Sequence, residues 1–315
     1  MTHALTPLLV ILGPTGSGKS RLGLEVAEQI DGEIISADAF AVYRGFDIGT
    51  DNPTLEDRQR IPHHLVDVAD PTDRFSAGEF AQAASRSIDD VVGRSRVATV
   101  VGGTHFYIRA LLEGLFPSAP RDPVHGEKLA EEWDRDPGSV FRQLQEVDPE
   151  AAERISPKDR QRVLRALEIF QVTGETLTSH WRRHQQPPKY RALMVAPKHS
   201  RLDLYARIDA RADRLFASGL VEEVRRILAS GVPVDAHALK AIGYRQVVEM
   251  LEGRCDLETA VENTKRSSRH FAKRQLTWMR GLREGSMHWV PPAEQGGVPA
   301  TTNLWDQHTE GKRTS

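Results

Sequence analysis

Apolar positions along the chain follow two rhythms. Short unbroken runs, Leu8–Leu12, Ile34–Ile35 within Glu33–Ser36, and Val97–Val101, have the length and β-branched content of buried strands. Leu65–Val68 is a further short apolar stretch. Between the runs, apolar residues recur at helical spacing, as in Leu22, Val26, Ala27 and Ile30. Ser76 and Glu79 stand three residues apart, the capping-box spacing, and predict a helix running to about Val92. Strand, helix, strand, helix, strand in that order predicts an α/β fold, a parallel sheet covered by helices.

Beyond Leu115 the rhythm changes. Pro117, Pro120 and Pro123 break the chain, and from about Glu127 to Trp181 every periodic segment is helical. Within it, Arg160–Phe170 turns Val163, Leu167 and Phe170 to one side and leaves Arg162 and Arg165 on a more polar face, by default a solvated one. Gln185-Gln186-Pro187-Pro188 closes the block, and Tyr190–Ala196 returns to strand character. Helical patterns follow at Leu204–Ala217, Val221–Ala229 and Glu258–Arg283, interrupted by a turn-like Ala241-Ile242-Gly243-Tyr244-Arg245. From Gly285 the chain is rich in Pro, Gly and Thr, and Thr302–Ser315 is expected to be disordered. The predicted organisation is a core over residues 1–120, an inserted all-helical domain over 121–188, a return to the core over 189–290, and a disordered tail over 291–315.

The first run opens into Gly13-Pro14-Thr15-Gly16-Ser17-Gly18-Lys19-Ser20, a G-x-x-x-x-G-K-S sequence set between a strand and a helix. Its glycines let backbone N–H groups curl around an anion, and the helix start adds the positive end of its dipole. Lys19 is placed to neutralise terminal phosphate oxygens and the Ser20 hydroxyl to hold Mg²⁺. The fold expectation is therefore a P-loop NTPase-like parallel sheet flanked by helices, with an inserted helical domain. The loop binds a di- or triphosphate and leaves open what that phosphate is attached to. Asp38 follows the second strand, where open α/β sheets place their active sites. It is a candidate general base or metal ligand; the alternative is a cap or turn aspartate. Gly102-Gly103-Thr104 follows the third strand and brings backbone and a hydroxyl to the same edge. Paired His63 and His64 suggest metal only weakly, since no third ligand lies at a recognisable spacing.

Composition narrows the picture. A chain of 315 residues is long for one compact unit. With a net charge of −2, only a local patch would bind nucleic acid. One such patch is the last long helical pattern, where Lys265, Arg266, Arg269, Lys273, Arg274, Arg280 and Arg283 appear with no acid among them. Concentrated cations on a near-neutral chain point to a polyanion, a soluble cationic surface being the plainer alternative. One cysteine, Cys255, excludes an internal disulfide framework. No Lys or Arg precedes the first apolar run and no run reaches 18 apolar residues, so neither a signal peptide nor a membrane span is expected, and the expected location is the cytoplasm.

Taken in order, Gly13–Ser20, Ile35-Ser36-Ala37-Asp38, Val42-Tyr43-Arg44-Gly45 with Asp47-Ile48-Gly49-Thr50, Pro62-His63-His64, Gly102-Gly103-Thr104, Asp148-Pro149, Asp159–Glu168, Ile242-Gly243-Tyr244 and Ala272-Lys273-Arg274-Gln275 resemble the tRNA dimethylallyltransferase family from about Leu8 to Val290. The chain departs from that pattern at Ala39, usually Ser, and at Ala41, often Gln. The resemblance implies transfer of a dimethylallyl group from dimethylallyl diphosphate to N6 of the adenine 3′ of a tRNA anticodon, with release of diphosphate, by a Mg²⁺-dependent monomer. It implies catalytic roles for Asp38, Lys19, Thr104 and Arg211, the last on the diphosphate side. It also implies tRNA contacts at Asp38, Ala39, Phe40, Ala41 and Thr104; at Gln161, Arg162, Val163, Leu164 and Arg165; at Lys240, Gly243, Tyr244 and Arg245; and at Lys273, Arg274, Gln275, Trp278 and Arg280. Two other classes stay open on the residues alone. One is a phosphotransferase that binds ATP in the same loop and uses Asp38 to activate a small hydroxyl acceptor; the other is a nucleotide-dependent RNA-binding module.

Overall fold

The computed structural model of the chain describes residues 5–114, 122–183 and 187–310; Pro117, Pro120, Gln185, Gln186 and residues 311–315 lie outside these. In chain order its elements are β1 (Thr6–Leu12), α1 (Lys19–Gln29), β2 (Gly32–Ser36), α2 (Leu55–Arg60), β3 (His63–His64), α3 (Ala77–Gly93), β4 (Val97–Gly102) and α4 (His105–Glu113). Five helices follow, α5 (Pro123–Arg135), α6 (Pro137–Val147), α7 (Pro149–Arg154), α8 (Arg160–Thr173) and α9 (Leu177–Arg183). The chain continues with β5 (Tyr190–Pro197), α10 (Arg201–Ala217), α11 (Leu220–Ala229), α12 (Tyr244–Leu251), α13 (Leu257–Arg280), β6 (His288–Val290) and α14 (Gly297–Glu310). They divide into two compact units, one of residues 1–112 with 188–315 and one of residues 113–187.

In the first unit six parallel strands lie in the order β3-β2-β4-β1-β5-β6. Successive side chains of a strand point to opposite faces, so β1 splits its residues between two cores. Leu8, Val10 and Leu12 pack with Phe80, Ile88 and Val91 of α3 and Ile108 of α4, while Leu9 and Ile11 pack with Leu22 and Val26 of α1. The expected box at α3 is present in both halves: the Glu79 amide donates to the Ser76 hydroxyl (3.2 Å) and the Ser76 amide to the Glu79 carboxylate (2.7 Å). β1 sits between β4 and β5, so the chain leaves it in one direction and later returns on the other side, the switch point at which such sheets bind ligands.

A third core, around Val42, Tyr43, Phe46, Leu220, Val224 and Tyr244, anchors the long segment after β2. The second unit has a core of its own in Leu129, Trp133, Leu144, Val163 and Leu167. Among the described residues no helix is long and apolar enough to cross a membrane.

The disordered tail is a correction. Residues 297–310 form α14, with Val298, Thr301 and Trp305 buried against the α1 side of the sheet. Val298, Thr301 and Trp305 stand at i, i+3 and i+7, an apolar stripe that the Pro- and Gly-rich composition masks. Further elements that were not expected include α2, β3, α4, β6, which pairs with Val195–Pro197 of β5, and α12, whose N-cap is the supposedly interrupting Gly243.

Candidate active site

The phosphate loop leaves β1 at Leu12 and enters α1 at Lys19 through Gly18, which caps the helix at φ 77°. Residues far along the chain hold its shape. Gln275 on α13 accepts from the Thr15 amide (2.9 Å) and donates to the Gly103 carbonyl (2.8 Å), tying the loop to the end of β4. A Cβ on Gly103 would lie 2.7 Å from Gln275 Nε2 and 3.1 Å from the Gly13 carbonyl, so that close approach requires glycine. After β5, His199 Nε2 lies 2.8 Å from the Ser17 carbonyl, and Arg207 on α10 donates to the Gly16 carbonyl (3.0 Å) while pairing with Glu294 (2.9 Å). The Thr15 and Ser17 amides are taken by Gln275 and the Pro14 carbonyl, and the amides of Gly16, Gly18 and Lys19, which make no hydrogen bond among the described residues, are left to face an anion. The sequence reading did not single out His199 or Arg207; their signal was the position just past a third strand carrying its carboxyl end to the loop.

Four charges share the mouth of the loop. Burial lowers the Lys19 pKa, Asp38 opposes that shift, Arg211 adds to it, and Asp51 opposes it. An ammonium held out of water is costly until an anion arrives beside it, so the lysine is poised for a phosphate. Arg211 on α10 is fixed by Asp51 Oδ2 (2.9 Å) and the Thr50 carbonyl (3.2 Å). Asp51 also went unnoticed in the sequence, because its segment has no clean period.

Asp38 lies just beyond β2. One of its oxygens accepts the amides of Phe40 (2.9 Å) and Ala41 (3.3 Å), so the turn-aspartate role is real. Its other oxygen takes no hydrogen bond among the described residues, which leaves that oxygen for chemistry. The Thr104 hydroxyl accepts from the Ala39 amide (3.0 Å), and the Thr104 amide donates to the Ala37 carbonyl (3.2 Å), stitching the ends of β2 and β4 together. Next to it, His105 stacks on Trp278 with ring centroids 4.2 Å apart and planes 10° apart. Burial, with Lys19 adding, pushes the His105 pKa down to about 4, and its Nε2 is buried without a hydrogen-bond partner among the described residues. His105 is thus a neutral aromatic wall at the site.

Several expected RNA contacts are otherwise engaged. Gln275 is buried with both amide atoms spent on Thr15 and Gly103. Tyr244 is fully buried, its hydroxyl on Glu223 (2.6 Å), and neighbouring Gly243 donates its amide to Gln246 (2.8 Å). Val163 belongs to the core of the helical unit and Ala41 is buried beside Asp38. In each case the side chain is already covered by protein. Ala39 and Phe40 are half-buried, with Phe40 stacked on His237 (6.1 Å).

Exposed side chains remain at Gln161, Arg162, Lys240, Arg245, Lys273, Arg274 and Arg280, and half-buried ones at Leu164 and Trp278. Arg162 reaches Asp159 (3.4 Å), Arg165 pairs with Glu168 (2.7 Å) and Arg245 lies 3.9 Å from Glu249. The unopposed cations of α13 are fewer than seven. Lys265 pairs with Asp213 (2.8 Å) and Glu262 (2.9 Å), and Arg269 pairs with Asp209, because α10 packs alongside and presents its acids. Among the described residues Lys273, Arg274 and Arg280 take part in no ion pair.

The histidine pair has structural partners, His63 on the Ile61 carbonyl (2.8 Å) and His64 on Glu33 (2.7 Å). Among the described residues no three His, Cys, Asp or Glu side chains gather to hold a metal. Ser20 is exposed in the first turn of α1 and its hydroxyl makes no hydrogen bond among the described residues. A single hard oxygen suits Mg²⁺ of the kind that takes most of its ligands from phosphates and water.

A parallel sheet whose central strand ends in a glycine-rich loop, with a lysine, an arginine and a carboxylate near it, defines a P-loop-like α/β protein. Comparison with known proteins narrows the class. The chain belongs to the IPP transferase family, whose profile matches residues 41–282. It is 44% identical over 292 residues to a tRNA dimethylallyltransferase of Thermomicrobium roseum, covering 92% of this chain and 88% of that one. It is 45% identical over 293 residues to tRNA dimethylallyltransferase 1 of Trichlorobacter lovleyi, covering 92% and 95%. The fold is similar to that of the tRNA isopentenylpyrophosphate transferase of Bacillus halodurans, at a TM-score of 0.72 and 31% identity over 98% of both chains. A eukaryotic dimethylallyltransferase solved acting on tRNA gives a TM-score of 0.77 at 25% identity, over 98% of this chain and 77% of that one.

Proposed function

We propose that the protein transfers a dimethylallyl group from dimethylallyl diphosphate to N6 of the adenine 3′-adjacent to the anticodon of tRNA, releasing diphosphate. The observation that carries this reading is the shared electrostatic neighbourhood of Lys19, Asp38 and Arg211 at the mouth of the loop. A diphosphate leaving group gains charge as the allylic carbon–oxygen bond breaks. Lys19, Arg211 and the loop amides stabilise that charge, more strongly there than in water. Mg²⁺ on the Ser20 hydroxyl would add Lewis-acid stabilisation of the same oxygens. An adenine amine becomes acidic only as its new bond forms, so Asp38 takes the proton at that stage through the oxygen not spent on its own turn. Thr104 orients the turn that carries Asp38. The neutral ring of His105 adds no competing cation near a developing allylic cation.

The target base must leave its stack to reach this mouth. Lys273, Arg274 and Arg280 on α13, and Arg162 with Arg165 on α8, are the proposed phosphate contacts. The names of the relatives and the family profile support transfer to tRNA over the phosphotransferase alternative. The test is incubation with tRNA and dimethylallyl diphosphate, followed by digestion and mass spectrometry of the nucleosides. One dimethylallyl group gained on adenosine is expected. Phosphorylation of a small acceptor from ATP, with no prenylated nucleoside, would replace this reading with the phosphotransferase one.

A further inference from the structure

Glu223 on α11 is a buried carboxylate, 3% exposed, with no cationic partner among the described residues. A buried charge needs hydrogen bonds to persist, and Glu223 draws all of its own from one turn and one tyrosine. One oxygen accepts the amides of Asp47 (3.2 Å) and Ile48 (2.8 Å); the other accepts the Gly49 amide (3.2 Å) and the Tyr244 hydroxyl (2.6 Å). The Gly49 amide also reaches the Tyr244 oxygen (3.1 Å). A Cβ on Gly49 would fall 2.2 Å from the Tyr244 ring, so nothing but glycine lets the turn come this close. Burial first, and Glu223 next, raise the Tyr244 pKa, so the phenol stays a donor.

The clamped turn leads straight to the site. Thr50 bonds back to the Phe46 carbonyl, Asn52 bonds to the Asp47 carbonyl (3.0 Å), and Asp51 is held between them at φ 60°, a conformation uncommon outside glycine. Asp51 and the Thr50 carbonyl together grip Arg211, which lies within electrostatic reach of Lys19. We propose that Glu223 is a positioning residue for the diphosphate side of the site: with Tyr244 it locks the Asp47–Asn52 turn, and the turn aims the Arg211 guanidinium at the phosphate loop. The proposal rests on the loop binding a diphosphate, as the functional reading requires, and uses no feature of the RNA side.

The test is a double-mutant cycle read by calorimetric binding of inorganic diphosphate, with tRNA affinity and melting temperature measured in parallel. Glu223→Gln turns a donor toward amides that need an acceptor, and should weaken diphosphate binding roughly 10- to 100-fold, the loss expected of one charge-assisted contact. In an Arg211→Ala background the same substitution should cost less than about twofold, because Glu223 acts through Arg211. Tyr244→Phe, which keeps the ring in place, and Asp51→Asn, at an exposed side chain, should show the same dependence on Arg211; they carry the test if Glu223→Gln does not fold. Affinity for tRNA should not change. Undiminished diphosphate affinity in the variants, or an equal loss with and without Arg211, overturns the proposal. Prenyl transfer failing in a wild type that still binds diphosphate would instead overturn the functional reading, so the two failures are distinct.

Discussion

The side chain of Gln275 holds the Thr15 amide at 2.9 Å, joining the last long helix to the phosphate loop across 260 residues of sequence. Its other amide atom is fixed on Gly103 (2.8 Å), so the loop cannot shift without also disturbing the end of β4. A buried glutamine with both ends satisfied costs little to keep and much to remove.

Gln275→Ala should therefore strip partners from one buried backbone group, at about 1–3 kcal/mol, and from one part-buried group that water can partly satisfy. Urea unfolding measures that loss. Gln275→Glu should be worse for function than for folding, because it sets a carboxylate against the Gly103 carbonyl and beside the anion site. Steady-state kinetics should show a larger rise in KM for dimethylallyl diphosphate with Glu than with Ala. Equal effects would mean that the residue only fills space.

Asp38→Asn keeps an acceptor for the Phe40 and Ala41 amides while removing the base, so folding should hold and kcat should fall by roughly 10² to 10⁴. Asp38→Ala should add a loss of melting temperature that Asn does not show. Single-turnover transfer beside thermal melts of both variants separates the turn role from the proton role.

His105 gives a pH signature. Its folded pKa, about 4, lies below the ordinary value of 6.5. Above pH 6.5 both folded and unfolded states hold a neutral imidazole, and the group contributes nothing. Between 6.5 and about 4 the unfolded chain binds the proton and the folded one does not, so stability falls as pH falls, by at most about 1.4 kcal/mol per unit. His63 and His237, also lowered by burial, add slopes of the same sign. Subtraction isolates the residue: His105→Phe, which keeps a ring against Trp278, should gain on wild type in denaturant titrations as pH is lowered from 7 to 5. A constant difference across that range would show that the imidazole is already solvated.

The proposed RNA contacts predict a salt signature. Each phosphate neutralised by Lys273, Arg274 or Arg280 should release counterions, so replacing each by Ala should flatten the plot of log affinity against log salt by about 0.7 to 0.9 unit. Lys265→Ala should leave the slope nearly as it is, its charge being neutralised by Asp213 and Glu262. Unchanged slopes in the triple variant would move the contact to Arg162 and Arg165 of α8.

What the sequence disclosed of this site is what lies close together in the chain. The phosphate loop, Asp38 and Thr104 each follow a strand that its own residues announce, and Ser76 with Glu79 fixes the start of α3 within four residues. His199, Arg207 and Glu223 were illegible for the opposite reason, and Gln275 was named only as an implied RNA contact: each acts on backbone groups more than 170 residues away, as the 172-residue gap from Gln275 to Gly103 illustrates. Tyr244 and Val163, which the resemblance implied as RNA contacts, have their side chains buried in packing, as the helical spacing around Val163 predicted. β6 has three residues and little pattern of its own; its place comes from pairing with Val195–Pro197 of β5.

The separation of Thr15 from Gln275 also sets a timetable for biosynthesis. The phosphate loop is translated well before its clamps, since β5, Arg207 and Gln275 must all follow before it is held. At about 5–20 residues per second, the 260 residues between the two ends take roughly 13–52 s to make. Throughout that interval a ribosome-bound chain carries a glycine-rich segment without its clamps, so a truncated nascent chain has the phosphate-loop sequence but not the assembled site.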